Sequence, residues 1–252
     1  MTVKGIDVAY YEPKIDWLKV KNAGYEFAFI KASQGTVEDP KFKEHWNGAK
    51  GILPRGAYHL YDPRYPKATA KAQAEFFWSL VKEDPGELPF VADIEKYESG
   101  PYHGSQQWYN FLETLKMLSN RKEAMIYTAQ YYWQDNVNLA GKSVTDVSYF
   151  YKNYPLWIAD PDPVQSPSMP KNAWLDWLFW QINWTTYIDG ITDEEGRKTA
   201  CDVDIFNGTT EQFNKRFGVG NPQLPVPPVK PPLKVSISRG AKIIFEEEIY
   251  DD

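Results

Sequence analysis

Eight short apolar or β-branched runs recur along the chain, at 3–8, 27–32, 56–61, 90–94, 124–128, 156–159, 179–182 and 203–206. Several are apolar on both faces, the pattern of parallel strands covered by helices. Helical patterns stand between the early runs, at 15–23, 41–49, 67–82 and 106–118. Ala72, Phe76 and Leu80 repeat every four residues, and Trp108, Leu112, Leu115 and Leu118 share one face of the next pattern. Beyond residue 130 helices are weaker: only the short stretches 131–137 and 172–178 qualify, and 189–199 reads as loop. The alternation predicts an α/β fold, a (β/α) barrel with a helix-poor final third.

The barrel accounts for residues 1–218. Residues 219–233 read as a linker, because six of the thirteen residues from 221 to 233 are proline. The remaining stretch, 234–252, is too short to fold alone. Its alternating run Val235-Ser236-Ile237-Ser238 suggests a hairpin that docks on the barrel or associates with a second copy. The sequence does not choose between them.

Composition removes several functions. The formal net charge is −6, the wrong sign for broad nucleic-acid binding. Cys201 is the sole cysteine, and His45, His59 and His103 are scattered, so neither a disulfide framework nor a zinc pattern is expected. No apolar stretch approaches the roughly 20 residues of a membrane helix. Met1 to Val8 runs straight into a strand with no signal-peptide pattern, which predicts synthesis in the cytoplasm. Aromatic residues make up 16% of the chain, enough to fill a core and still face sugar rings.

Chemistry should sit where parallel strands end. Asp93-Ile94-Glu95 closes the run Leu88-Pro89-Phe90-Val91-Ala92. Residues two apart on a strand share a face, which places the Asp93 and Glu95 Cα atoms roughly 6.5 Å apart. Two carboxyls that close shift each other's pKa, so that one holds a proton while the other is ionised. That is the equipment of glycosidic bond cleavage. The other strand ends supply Asp7, Lys31, Tyr58 with His59, Tyr127, Trp157 with Asp160, Gln181, and Asp202 with Asp204. An acid cluster of this kind could also hold Mg²⁺ or Ca²⁺. A phosphate-binding glycine loop and a Gly-x-Ser-x-Gly elbow are both absent.

In their order along residues 3–213, these segments resemble the glycoside hydrolase family 25 muramidases, a lysozyme class common in bacteriophage endolysins and bacterial autolysins. The segments are Gly5-Ile6-Asp7-Val8 with Ile15-Asp16-Trp17, Phe29-Ile30-Lys31-Ala32-Ser33-Gln34-Gly35, Gly56-Ala57-Tyr58-His59, Asp93-Ile94-Glu95, Ile126-Tyr127-Thr128, Pro155-Leu156-Trp157-Ile158-Ala159, Trp180-Gln181 and Asp202-Val203-Asp204-Ile205-Phe206-Asn207-Gly208. The resemblance implies an irregular, flattened (β/α) barrel of eight mainly parallel strands with a groove for glycan. It implies cleavage of the β-1,4 bond between N-acetylmuramic acid and N-acetylglucosamine in peptidoglycan, with no cofactor and no metal. By position, Glu95 would be the general acid, Asp93 its partner, and Asp7 and Asp202 supporting acids. Lys31, Tyr58, Tyr127, Trp157 and Gln181 would bind glycan. The chain departs from the family at Asp160-Pro161-Asp162-Pro163, at Ile182 and at Asp204, where Asn is frequent.

On this reading Glu95 stays protonated and Asp93 ionised. Two alternatives are a catalytically dead peptidoglycan-binding module and a metal-dependent carbohydrate esterase. The expected partners are glycan strands of the cell wall, with self-association through the tail, and neither nucleic acid nor membrane.

Overall fold

A computed structural model describes residues 2–63, 69–95, 105–120, 122–137, 148–161, 165–220, 233–239 and 242–249. Most of the expected linker, 221–232, lies outside the described residues. The chain divides into two compact units, residues 1–219 and 220–252.

In the first unit the elements run β1 (Thr2–Val8), β2 (Lys14–Ile15), α1 (Trp17–Asn22), β3 (Phe27–Gln34), β4 (Val37–Glu38), α2 (Phe42–Ala49), β5 (Arg55–Leu60), α3 (Ala70–Val81), β6 (Phe90–Asp93), α4 (Ser105–Leu118), β7 (Ala124–Ala129), α5 (Gln130–Val137), α6 (Ser148–Asn153), β8 (Leu156–Ala159), β9 (Phe179–Thr192), β10 (Lys198–Thr209) and α7 (Thr210–Phe217). Strands β1, β3, β5, β6, β7, β8 and β9 pair in parallel in that order. Antiparallel β10 lies between β9 and β1 and closes the barrel.

The two-residue period of the strands sorts their side chains. Phe27 and Phe29 on β3, Val91 on β6, Met125 and Tyr127 on β7, Trp157 on β8, and Phe179 on β9 fill the barrel interior. Their neighbours Ala28, Ile30, Ala92, Ile126 and Ile158 pack outward against the helices. The interior is largely aromatic, with Phe29 stacked on Trp157 at 4.5 Å between ring centroids. Gly5 of β1 is required by this packing: a Cβ there would stand 2.2 Å from the Phe27 ring.

At the end where β3 begins, α7 inserts Phe213 against Phe27, Phe206 and Phe217. This helix starts with a capping box in which Thr209 and Gln212 bond each other's backbone. With one end of the barrel filled by apolar side chains, polar groups on the interior face collect at the other, where the parallel strands end.

Three expectations fail. Residues 189–199 are not simply loop, because β9 and β10 continue far beyond the barrel as a hairpin that pairs Thr192 with Lys198 and also carries β2. Residues 172–178 are turns rather than helix; Asn172 adopts φ 56°, which breaks a helical path. Helices α6 and α7 stand where no helix was predicted. The second unit contains a two-stranded antiparallel hairpin of β11 (Leu233–Arg239) and β12 (Lys242–Ile249).

Candidate active site

A cleft of about 300 Å³ opens at the C-terminal ends of the parallel strands. Asp7, Lys31, Tyr58, Asp93, Glu95, Tyr127, Trp157, Gln181 and Asp202 all line it, so the structure brings together all nine residues expected at the site. Alternation explains the convergence. Lys31, Asp93, Tyr127 and Gln181 each follow an interior aromatic or apolar residue by two positions: Phe29, Val91, Met125 and Phe179. Asp202 reaches the same rim because β10 runs backwards and places it opposite Asp7.

His59 and Asp160, which share strand ends with these residues, are not among the lining side chains. His59 is one residue out of phase with Tyr58 and points to the helices, where Ser33 Oγ and Gln73 Oε1 hold its ring nitrogens at 2.8 and 3.1 Å. Burial lowers its pKa to about 4, so the ring is neutral. Asp160 accepts the Ser168 N–H at 2.7 Å instead.

Gln181 is the hub of the floor. Its amide nitrogen donates to Asp7 Oδ2 at 2.7 Å and to Asp202 Oδ2 at 3.0 Å. Its carbonyl oxygen accepts the Tyr127 hydroxyl and the Trp184 indole N–H, each at 2.8 Å. One amide thereby fixes two acids, a phenol and an indole. Burial raises the Tyr127 and Tyr58 pKa values, which keeps both phenols neutral.

Beneath the opening, Asp93 is 6% exposed and its Oδ1 has no hydrogen-bond partner. Burial, then the charge of Glu95, pushes Asp93 well above the ordinary carboxylate range, against a downward pull from Lys31. Glu95 is raised by burial and drawn back by Lys31. Both carboxyls are thus raised, and Asp93 is the deeper of the two: it still lies on β6, whereas Glu95 lies past its end. Asp202 is raised to about 6, by burial and then by Glu95.

Sequence reasoning missed three cleft residues with polar or aromatic side chains: Tyr11, Glu12 and Trp184. Glu12 accepts the Ala9 N–H at 3.0 Å, and burial raises its pKa to about 7. Trp184 stands three residues beyond Gln181 and is 51% exposed; Tyr11 is 64% exposed. Among the described residues, no group of three or more His, Cys, Asp or Glu side chains is arranged to hold a metal ion. None of the described helices is long and apolar enough to cross a membrane.

The family model described as glycosyl hydrolases family 25 matches residues 6–191. The uncharacterised protein YegX of Escherichia coli K12 is 32% identical over 222 residues, 84% of this chain and 72% of that protein. Lysozyme M1 of Streptomyces globisporus is 31% identical over 230 residues, 84% of this chain and 70% of that protein. The crystal structure of the bacterial lysozyme from Streptomyces coelicolor superposes with a TM-score of 0.68 at 27% identity, covering 84% of this chain and 95% of that one.

Proposed function

The chain belongs to the glycosyl hydrolases family 25, and from that membership we propose that it is a muramidase acting on the bacterial cell wall. It hydrolyses the β-1,4 bond between N-acetylmuramic acid and N-acetylglucosamine in peptidoglycan. The observation that carries the site assignment is a pair of acids in one cleft, Asp93 buried and Glu95 half-buried, with an unpartnered oxygen on Asp93.

The glycan lies across the cleft, and Glu95 gives its proton to the leaving oxygen. Asp93 accepts the N–H of the substrate's 2-acetamido group. A hydrogen bond to the ionised form of a carboxyl favours that form. Substrate therefore fixes the pair's shared proton on Glu95, where the reaction needs it. Ionised Asp93 then steadies positive charge at the anomeric carbon and orients the acetamido group. Asp7 and Asp202, held by Gln181, shape the charge of the wall. Lys31, Tyr58 and Trp157 complete the wall, and the exposed rings of Tyr11 and Trp184 offer flat faces to sugar. In the tail, the β11–β12 hairpin serves self-association, because two strands alone form no stable core.

Glu95→Gln removes the proton donor and keeps the shape. The variant should bind glycan normally and lose roughly 10²–10⁴-fold of its rate of reducing-end release from purified cell wall. Near-normal release by the variant refutes the acid assignment. Wild-type protein that binds the wall and releases no reducing ends refutes the muramidase reading. Mass spectrometry of the released fragments identifies the bond cut.

A further inference from the structure

Behind the cleft wall lies an acid that touches no solvent. Asp204 sits opposite Gly5 on β1 and Gln181 on β9, and two residues from Asp202 on the same face of β10. It is fully buried and, unlike Asp202, does not line the cleft. Its Oδ1 accepts the Trp157 indole N–H at 2.8 Å, while its Oδ2 receives no N–H or hydroxyl donor. Trp157 lines the cleft, so Asp204 also anchors one of its walls.

The carboxyl that meets Asp204 is that of Asp7, and the two form a hydrogen bond. Two carboxylates cannot bond without a proton between them. A buried anion supported by one indole N–H is costly, and a second donor removes most of that cost. Asp7 is the group able to supply it. Asp7 Oδ2 is already engaged as acceptor by Gln181.

The surrounding charges bear on which carboxyl keeps the proton. Asp7 is raised by burial, then by the charges of Asp204 and Asp202. Asp204 is raised by burial and by Asp202, and drawn down by its bonds to Asp7 and Trp157. Tyr58, Tyr127 and Cys201 also face Asp7, and burial keeps all three protonated. These groups are thus neutral or negative; the cation of the cleft, Lys31, acts on Asp93 and Glu95, and a proton on Asp7 relieves the crowding with Asp202 and Asp204.

We propose that Asp204 is a positioning residue: it accepts the O–H of a protonated Asp7 and so keeps a neutral acid, not a further anion, on the wall shared with Asp93 and Glu95. The role in turnover rests on the muramidase reading; the place of the proton does not. A negative charge on Asp7 would hold the proton of the Asp93–Glu95 pair more tightly and slow its delivery. Asp204 moves that charge one layer back, against Trp157.

Asp204→Asn is the test, because it preserves shape and reverses one bond. The new side chain's oxygen still accepts from Trp157, and its NH₂ now donates to Asp7. Asp7 loses its acceptor and ionises. Infrared difference spectra of variant against wild type should show the loss of one buried protonated carboxyl. The alkaline limb of reducing-end release should move up by roughly one pH unit, as expected for a new charge close to the reacting pair. If Asp204 instead holds the proton, the band is lost with its carboxyl all the same, but asparagine reproduces the donor and the alkaline limb stays put; an unmoved limb, or a band that survives, overturns the proposal.

Asp7→Asn gives an independent reading should Asp204→Asn fail to fold. It should also remove the protonated-carboxyl band, since the introduced amide would donate to an ionised Asp204, and a surviving band overturns the proposal. The infrared arm needs no substrate. A protein that proves inactive on cell wall therefore fails as a muramidase while the band still decides where the proton lies.

Discussion

Glu12 shows at single-residue scale what an acid-lined cleft costs its fold. Its carboxyl is raised from 4.5 to about 7, first by burial and then by Asp202, against the pull of the Ala9 N–H. The folded state therefore holds that proton more tightly than the unfolded chain. The stability tied to it is complete below pH 4.5 and is lost as the pH climbs through 7. Glu12→Gln has no proton to lose. It should raise the melting temperature at pH 8, by an amount worth about 2 kcal/mol, and change it little at pH 4. Calorimetry at both pH values checks this, and an equal gain at each would remove the electrostatic explanation. The sequence made Asp7, Asp93, Glu95 and Asp202 legible because each ends or crosses an apolar run. Glu12 escaped because it sits in Tyr10-Tyr11-Glu12-Pro13, where nothing local separates a solvated turn acid from one folded back over a cleft. The greater depth of Asp93 relative to Glu95 was equally hidden, since spacing does not encode depth.

Among the elements, the barrel strands were readable because burial on both faces forces apolar residues onto both phases of the strand. The outer halves of β9 and β10 are freed from that rule. From Thr185 to Asp189 and from Asp193 to Thr199 the chain is mostly polar or exposed, so a continuous hairpin looks like a loop. Helix α7 was missed for a different reason: its eight residues bury one large side chain, Phe213, and most of its signal is the Thr209–Gln212 capping box. That side chain nevertheless fills one end of the barrel interior, 2% exposed among Phe27, Phe206 and Phe217. Phe213→Ala should cost about 3–5 kcal/mol in denaturant unfolding, the range for removing a buried phenylalanine ring. The rate of glycan cleavage per folded molecule should hold, because the cleft lies at the other ends of the strands. A loss under about 1 kcal/mol would mean that the neighbouring rings close over the gap and that α7 is no plug.

At the scale of the whole molecule, the core and the tail obey different constraints. The buried apolar residues of the barrel run from Val3 to Phe213 and form one cluster inside the strands and one beneath the helices. The β11–β12 hairpin has a difficulty of its own: each strand has one paired edge and one open edge within its own two-stranded sheet. Open edges invite further strands, and a lone hairpin is marginal in water. Addition of strands from a second copy answers both conditions. Deleting 220–252 should then lower the molar mass measured by light scattering from that of an assembly to that of one shortened chain. The melting transition of the barrel and its release of reducing ends from soluble glycan should stay as they are. An unchanged number of chains per particle on deletion would strip the hairpin of its associating role and leave the barrel's chemistry untouched.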